Sequence, residues 1–273
     1  MTSLADHLAG SAAVVRRLAP FAPEVTLVLG SGLGDFADRI RDPFALGSDQ
    51  IPHFPHSTVE GHRGRLVFGT LHGIRLLVLQ GRIHFYETGD VGQVTYPLML
   101  AHTLGAKSLV LTNAAGGVNR AFRPGDLMLI TDIINLTDET VRATTAPHQG
   151  SEMFDPALKR MALATAEELG IRLQTGVYAG VKGPSYETAA EVEMIHRLGG
   201  DAVGMSTVLE ARLAQALGMR LLGISCITNQ ATGLTSAPLN HLEVSEVGRR
   251  VNVSFGRLIE GVIHRYSAEA VGG

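Results

Sequence analysis

The chain has 273 residues, 45% of them hydrophobic, with 23 Lys and Arg set against 26 Asp and Glu for a formal charge of -3. That size and composition fit one large buried core better than two small ones, and the interspersed charges leave no basic stripe for nucleic acid and no like-charged tail. Charged residues or glycines interrupt every apolar run before it reaches membrane-spanning length, and the single Cys226 excludes an internal disulfide. Asp6 and His7 precede any apolar run, unlike the layout of a signal peptide, so the expected compartment is the cytoplasm.

Leu4, Leu8, Ala12, Val15 and Leu18 recur at helical spacing, which predicts an amphipathic packing helix ending near Pro20. The next run, VTLVLGSGLGDF over residues 25–36, ends in a cluster of glycines, as a phosphate-holding loop behind a strand does. It is a poor dinucleotide fingerprint. Asp35 stands where the third glycine belongs, the helical pattern of Phe36 and Ile40 is cut short by Pro43, and no second strand ends in an acid at the right distance. A tight turn or a loop for a smaller anion remains. Further strands are expected at RLVFG, IRLLVLQG, SLVLTNAAGG, DLMLITDIIN, TGVYAGV, DAVGM and RLLGISCITN, many of them apolar on both faces as in a covered parallel or mixed sheet. Helices are expected over residues 91–105, behind Asp155–Pro156, at the capping-box pairs Thr188/Glu191 and Thr207/Glu210, and behind Asn240 and Glu243. The architecture is α/β.

Ligands in open α/β sheets gather beyond the carboxyl ends of strands, and here those positions are unusually polar. Ser31 follows the first strand, Arg82, His84 and Tyr86 the third, and Asn113 and Ala114 the fourth; Tyr186 and Glu187, Ser206, and Thr228 with Asn229 follow later ones. Two more loops carry GHRGR, with His62, Arg63 and Arg65, and NHLEV, with His241. Each residue taken singly has an ordinary structural role open to it, as a cap, a surface charge, a buried histidine or a core aromatic. Their coincidence on one rim favours a shared site.

Sorted by chemistry, Ser31, Arg82, His84, the Ala114 amide and Ser206 form an anion set of hydroxyls, cations and backbone N–H groups. Tyr86, the Met205 backbone and His241 suit hydroxyls and an apolar sugar face, while Tyr186, Glu187 and Asn229 suit a heterocyclic base. There is no HExxH, no CxxC and no acid pair with a histidine at ligand spacing, so a metal is not indicated.

The stretches GSGLG, EGHRGRLVFG, QGRIHFYE, TNAAGGVN, PGDLMLITDIINLT, GPSYETAAE, GMSTVLEA, CITN and NHLEV, in this order from about residue 25 to 265, resemble the trimeric purine nucleoside phosphorylases that act on 6-oxopurine nucleosides. The resemblance implies a single α/β domain over residues 1–273, built on a twisted, barrel-like mixed sheet surrounded by helices and assembling as a homotrimer. It also implies reversible phosphorolysis of inosine, guanosine and their 2′-deoxy forms to a free base and ribose 1-phosphate in purine salvage, with inorganic phosphate as cosubstrate and no cofactor. Ser31, His62, Arg82, His84, the Ala114 amide and Ser206 would then hold phosphate. Tyr86, Met205 and His241 would hold the ribose, and Tyr186, Glu187, Asn229 and Val244 the purine, with Asn229, His84 and Glu187 as the catalytic set.

Two rival readings fit less well. A methylthio-nucleoside phosphorylase of the same superfamily would be expected to have an apolar pocket at His241 and an acid at Asn229, and a non-catalytic nucleotide-binding protein leaves Glu187, Asn229 and His241 unexplained. One segment, NLTDETVRATTAPHQGSEMF, departs from the family pattern: the family it resembles has a longer loop there, with an Asn-Pro-Leu and a Gly-Pro-Asn, that lends an aromatic to the neighbouring subunit's ribose pocket, whereas here that pattern is absent and neither His148 nor Phe154 aligns with the aromatic.

Overall fold

The computed structural model describes residues 3–59, 63–141, 152–234 and 241–272, with the backbone alone at 241–245 and 270–272. In chain order the elements are α1 (Leu4–Leu18), β1 (Val25–Leu29), β2 (Arg41–Gly47), β3 (Arg65–Leu71), β4 (Ile74–Gln80), α2 (Phe85–Thr88), α3 (Val91–Leu104), β5 (Ser108–Gly117) and β6 (Leu127–Asn135). They continue as α4 (Pro156–Leu169), β7 (Leu173–Gly180), α5 (Ala189–Arg197), β8 (Ala202–Gly204), α6 (Val208–Ala216), β9 (Arg220–Gln230) and α7 (His241–Gly272). β2 has no counterpart among the expected strands. Its RDPFALG sequence is mostly exposed and holds Pro43, which is tolerated because β2 is an edge strand paired only with β3, with a register shift between Arg41 and Phe44.

The strands form one sheet in the order β2-β3-β4-β1-β5-β8-β7-β6-β9, and β9 pairs back to β5. The ring β5-β8-β7-β6-β9 is therefore closed and β1 to β4 extend from it as a wing, which is the barrel-like mixed sheet expected from the resemblance. β1 runs parallel to both β4 and β5, and every residue of β1 is buried. Alternation along such strands sends successive side chains to opposite faces. Val28, Leu109 and Leu111 join Val15, Leu98 and Leu209 of α1, α3 and α6 in one core, whereas Leu27, Leu29 and Val110 join Leu158 of α4 and Phe255 and Leu258 of α7 in another.

β5 creates the crevice. One of its edges pairs with β9 from Ser108 to Gly117, while the other pairs with β1 over Ser108–Leu111 and then with β8 at Gly116 and Gly117. Between these contacts β1 and β8 part, leaving residues 112–115 of β5 facing an opening where ligands settle in α/β sheets. The glycine loop enters this opening from β1. Gly30 donates its N–H to Thr112 Oγ1 at 3.0 Å, and a Cβ at Gly30 would stand 2.7 Å from Asn113 Cα. Beyond it, Gly34–Arg39 is a 3-10 helix of six residues with Phe36 packed edge-on to Phe255, so the long helix of a dinucleotide fold is absent there.

Gly30→Ala is accordingly expected to force β1 away from β5. Overpacking of this kind costs about 1–3 kcal/mol, so the melting midpoint should fall by roughly 2–12 °C at about 2–4 °C per kcal/mol. A variant that melts with the wild type would show that the close backbone approach is not required.

Candidate active site

The crevice opens into a cleft lined by residues from the glycine loop, the β4–α2 connection, β5, β9, the segment between β7 and α5, and β8 with the residues after it. At its inner end Arg82, only 5% exposed, donates through Nη2 to Thr112 O at 2.7 Å and through Nη1 to Ser206 Oγ at 2.9 Å. Its Nε lies 3.6 Å from Glu210 Oε1, and that side chain is as deeply buried as the guanidinium. A buried cation so balanced can be held charged without closing the site to an anion. Ser31 and Ala114 line the same cleft.

His84 stands beside them at the start of α2, where it caps the helix. The carboxylate of Glu87 accepts from His84 N at 2.6 Å and contacts His84 Nδ1 at 3.1 Å. It also accepts from Thr58 N at 2.6 Å and Thr58 Oγ1 at 3.0 Å, tying the loop after β2 to the cleft. Burial alone would raise the Glu87 carboxyl, but these donors outweigh it and hold the pKa down at about 2. With Nδ1 engaged by the carboxylate, the imidazole turns its other nitrogen away from Glu87. His84 stacks on Tyr86 with ring centroids 5.0 Å apart. Burial, then the nearby Glu87 and Tyr186, push the Tyr86 phenol up to about 12, so it stays a neutral hydroxyl.

The same cleft is lined by Tyr186, Glu187 and Asn229. Asn229 Oδ1 accepts from Thr228 Oγ1 at 2.9 Å and Nδ2 donates to Gln230 O at 3.0 Å, which fixes the amide's orientation and leaves one N–H for a ligand. Burial raises the Glu187 carboxyl above its ordinary value, its own backbone N–H opposes this, and Glu191 adds to the rise. A carboxyl raised on folding makes the protein most stable below its unfolded pKa, a benefit lost as pH rises through the folded one. Glu187→Gln is therefore expected to raise the melting midpoint of the ligand-free protein at pH 7, with the gain vanishing below about pH 4.3; melting curves at both pH values check it. An equal gain at both would assign the effect to something other than the charge.

Ser31, Arg82, His84, Tyr86, Ala114, Tyr186, Glu187, Met205, Ser206 and Asn229 thus share one cleft. His62 lies outside the described residues, as does His148. His241 and Val244 fall at the start of α7, in helix rather than in the loop expected for NHLEV, and their side chains are outside the description. Asn240, expected to open that helix, is also outside it. Phe154 is fully buried against Ile130 and Gly223 and belongs to the core. Asn113, Ala114, Thr228 and Asn229 were expected beyond strand ends but lie within β5 and β9. They reach the cleft because the neighbours of β5 diverge, a feature of pairing rather than of strand termination.

The Thr207/Glu210 box forms by half: Glu210 Oε2 accepts from Thr207 N at 2.9 Å, but Thr207 Oγ1 accepts from Asn113 Nδ2 at 2.8 Å. Sequence reading passed over Glu87, Tyr178 and the polar contact of Asn113 with Thr207. The spacing H-x-x-E in QGRIHFYE was a signal for Glu87, since a residue at that distance returns to cap its own helix start. Nothing local marked Tyr178, whose hydroxyl meets Ser206 only through the fold.

A model of the phosphorylase superfamily matches residues 24–264. The chain is 46% identical over 268 residues to purine nucleoside phosphorylase 1 of Bacillus subtilis, covering 96% of this chain and 99% of that protein. Crystal structures of the Schistosoma purine nucleoside phosphorylase with hypoxanthine and, from Schistosoma mansoni, with adenosine each superimpose with a TM-score of 0.88 at 33% identity, covering 95% of this chain and 96% of that one. With the closed mixed sheet and the composite cleft at its split strand, these matches show that the chain belongs to the phosphorylase superfamily as one of its purine nucleoside phosphorylases.

Proposed function

We propose that this phosphorylase cleaves 6-oxopurine nucleosides, inosine and guanosine with their 2′-deoxy forms, using inorganic phosphate and no other cofactor. One observation carries the reading: a single cleft joins a balanced cationic end, Arg82 with Ser206 and His84, to a carboxylate and an oriented amide, Glu187 and Asn229. Phosphate binds to Ser31, His62, Arg82, His84, the Ala114 N–H and Ser206. Tyr86, Met205 and His241 hold the ribose, and Tyr186, Glu187, Asn229 and Val244 hold the base.

In the reaction a phosphate oxygen supplies the electron pair of the new C1′–O bond as the C1′–N9 bond breaks, and the departing purine carries that bond's electrons. The sugar gains positive charge before the new bond is complete, so the phosphate dianion beneath it and the Asn229 N–H at N7 or O6 act most strongly in the transition state. No protein group becomes covalently attached. The base leaves and takes a proton from water.

The protein acts as a cytoplasmic homotrimer in purine salvage, with the whole chain as one catalytic domain. Among the described residues no helix is long and apolar enough to cross a membrane. The test runs the reaction backwards: hypoxanthine and ribose 1-phosphate should give inosine and phosphate, and sedimentation should give three times the chain's 29.0 kDa. Failure of synthesis would refute reversibility, and a monomer at working concentration would refute the trimer.

A further inference from the structure

Thr207, between β8 and α6, is buried and has φ 70° and ψ -46°, a region that β-branched residues avoid. Val208 N donates to Ser206 O at 2.7 Å, so Thr207 is the centre of the strained, positive-φ form of the γ-turn. Such strain persists only where the surroundings over-determine it, and here they do. Thr207 N donates to Glu210 Oε2, Thr207 Oγ1 accepts from Asn113 Nδ2, and Glu210 also faces Arg82.

The turn brings two adjacent hydroxyls together, with Ser206 Oγ 3.1 Å from Thr207 Oγ1. Thr207 Oγ1 already accepts from Asn113, so its own proton is available to Ser206 Oγ. Ser206 Oγ also accepts from Arg82 Nη1 at 2.9 Å, so both of its lone pairs are then occupied. Tyr178 is the other neighbour: its hydroxyl lies 3.5 Å from Ser206 Oγ and accepts from Ser206 N at 3.4 Å. What Ser206 has left is its proton, and Ser206 lines the cleft.

We infer that Thr207 is a positioning residue whose γ-turn and hydroxyl, fixed by Asn113, aim the Ser206 O–H into the anion end of the cleft. The chain Asn113 N–H to Thr207 O–H to Ser206 O–H polarises each successive donor and makes the last one a dedicated anion ligand. This rests on the proposal that phosphate occupies that end.

The test is a double-mutant cycle of Thr207→Val and Ser206→Ala, read as KM for phosphate, KM for inosine and kcat. Thr207→Val keeps the branched shape and removes the hydroxyl, and it should raise the phosphate KM about 10-fold, the size of one charge-assisted hydrogen bond. The inosine KM should stay within about twofold, Thr207→Ser should restore the phosphate KM, and in the Ser206→Ala background Thr207→Val should add almost nothing, as expected of coupled groups. Equal effects of Thr207→Val in both backgrounds, or an unchanged phosphate KM, would overturn the inference. If Thr207→Val does not fold, Thr207→Ala replaces it in the same cycle with the same criteria. A wild-type enzyme that releases hypoxanthine without needing phosphate would instead refute the phosphate assignment itself.

Discussion

Inosine and guanosine are expected to be turned over about 10⁴-fold more efficiently than adenosine, the scale of discrimination reached when a mismatched substrate leaves a buried polar group unpaired. Glu187 is half-buried in the cleft with no cation paired to it among the described residues, and burial already makes its charge costly. The N1–H of hypoxanthine or guanine gives that carboxylate a donor. Adenine presents a bare N1 lone pair in the same place, so two acceptors face each other and the charge stays desolvated. Asn229 sharpens the contrast, because its amide is locked by Thr228 and Gln230 and cannot rotate to compensate without losing both bonds. The related Schistosoma mansoni enzyme has been crystallised with adenosine, so discrimination is expected in kcat/KM rather than in bare occupancy. Comparable kcat/KM for adenosine and inosine would contradict this role for Glu187.

Asn229→Ala should lower kcat by about 10²–10³, the usual effect of removing one donor aimed at developing negative charge. The phosphate KM should change by no more than about twofold, because the bonds that hold Arg82, Ser206 and His84 do not pass through Asn229. The loss falls on turnover because the purine gains its charge only as the glycosidic bond lengthens. Steady-state kinetics with inosine and phosphate varied separately decide the matter. Equal losses in turnover and phosphate affinity would mean that Asn229 supports the cleft as a whole.

Several features were legible from the chain alone because their signals are local. The largely apolar, β-branched VTLVL announced a strand covered on both faces, Asp155–Pro156 announced a helix start, and both appear where expected. β2 was not legible, since an exposed edge strand carrying Pro43 has neither the apolar run nor the alternation that marks a strand. The site residues could be named from loops and motifs, but their convergence depends on β1 and β8 sharing one edge of β5, and pairing between distant segments leaves no mark in either sequence. The supporting bonds were hidden for the same reason. Arg82 and Glu210 are 128 positions apart in a chain where each alone reads as an ordinary charge. The strain at Thr207 was masked by a capping-box pattern that correctly located the helix start and misassigned the hydroxyl.

The most direct test is hypoxanthine release from inosine by the purified protein, measured with and without inorganic phosphate. Phosphorolysis predicts release that depends on phosphate, saturates with it and yields ribose 1-phosphate in equal amount. Release at the same rate without phosphate, with free ribose as the coproduct, would contradict it.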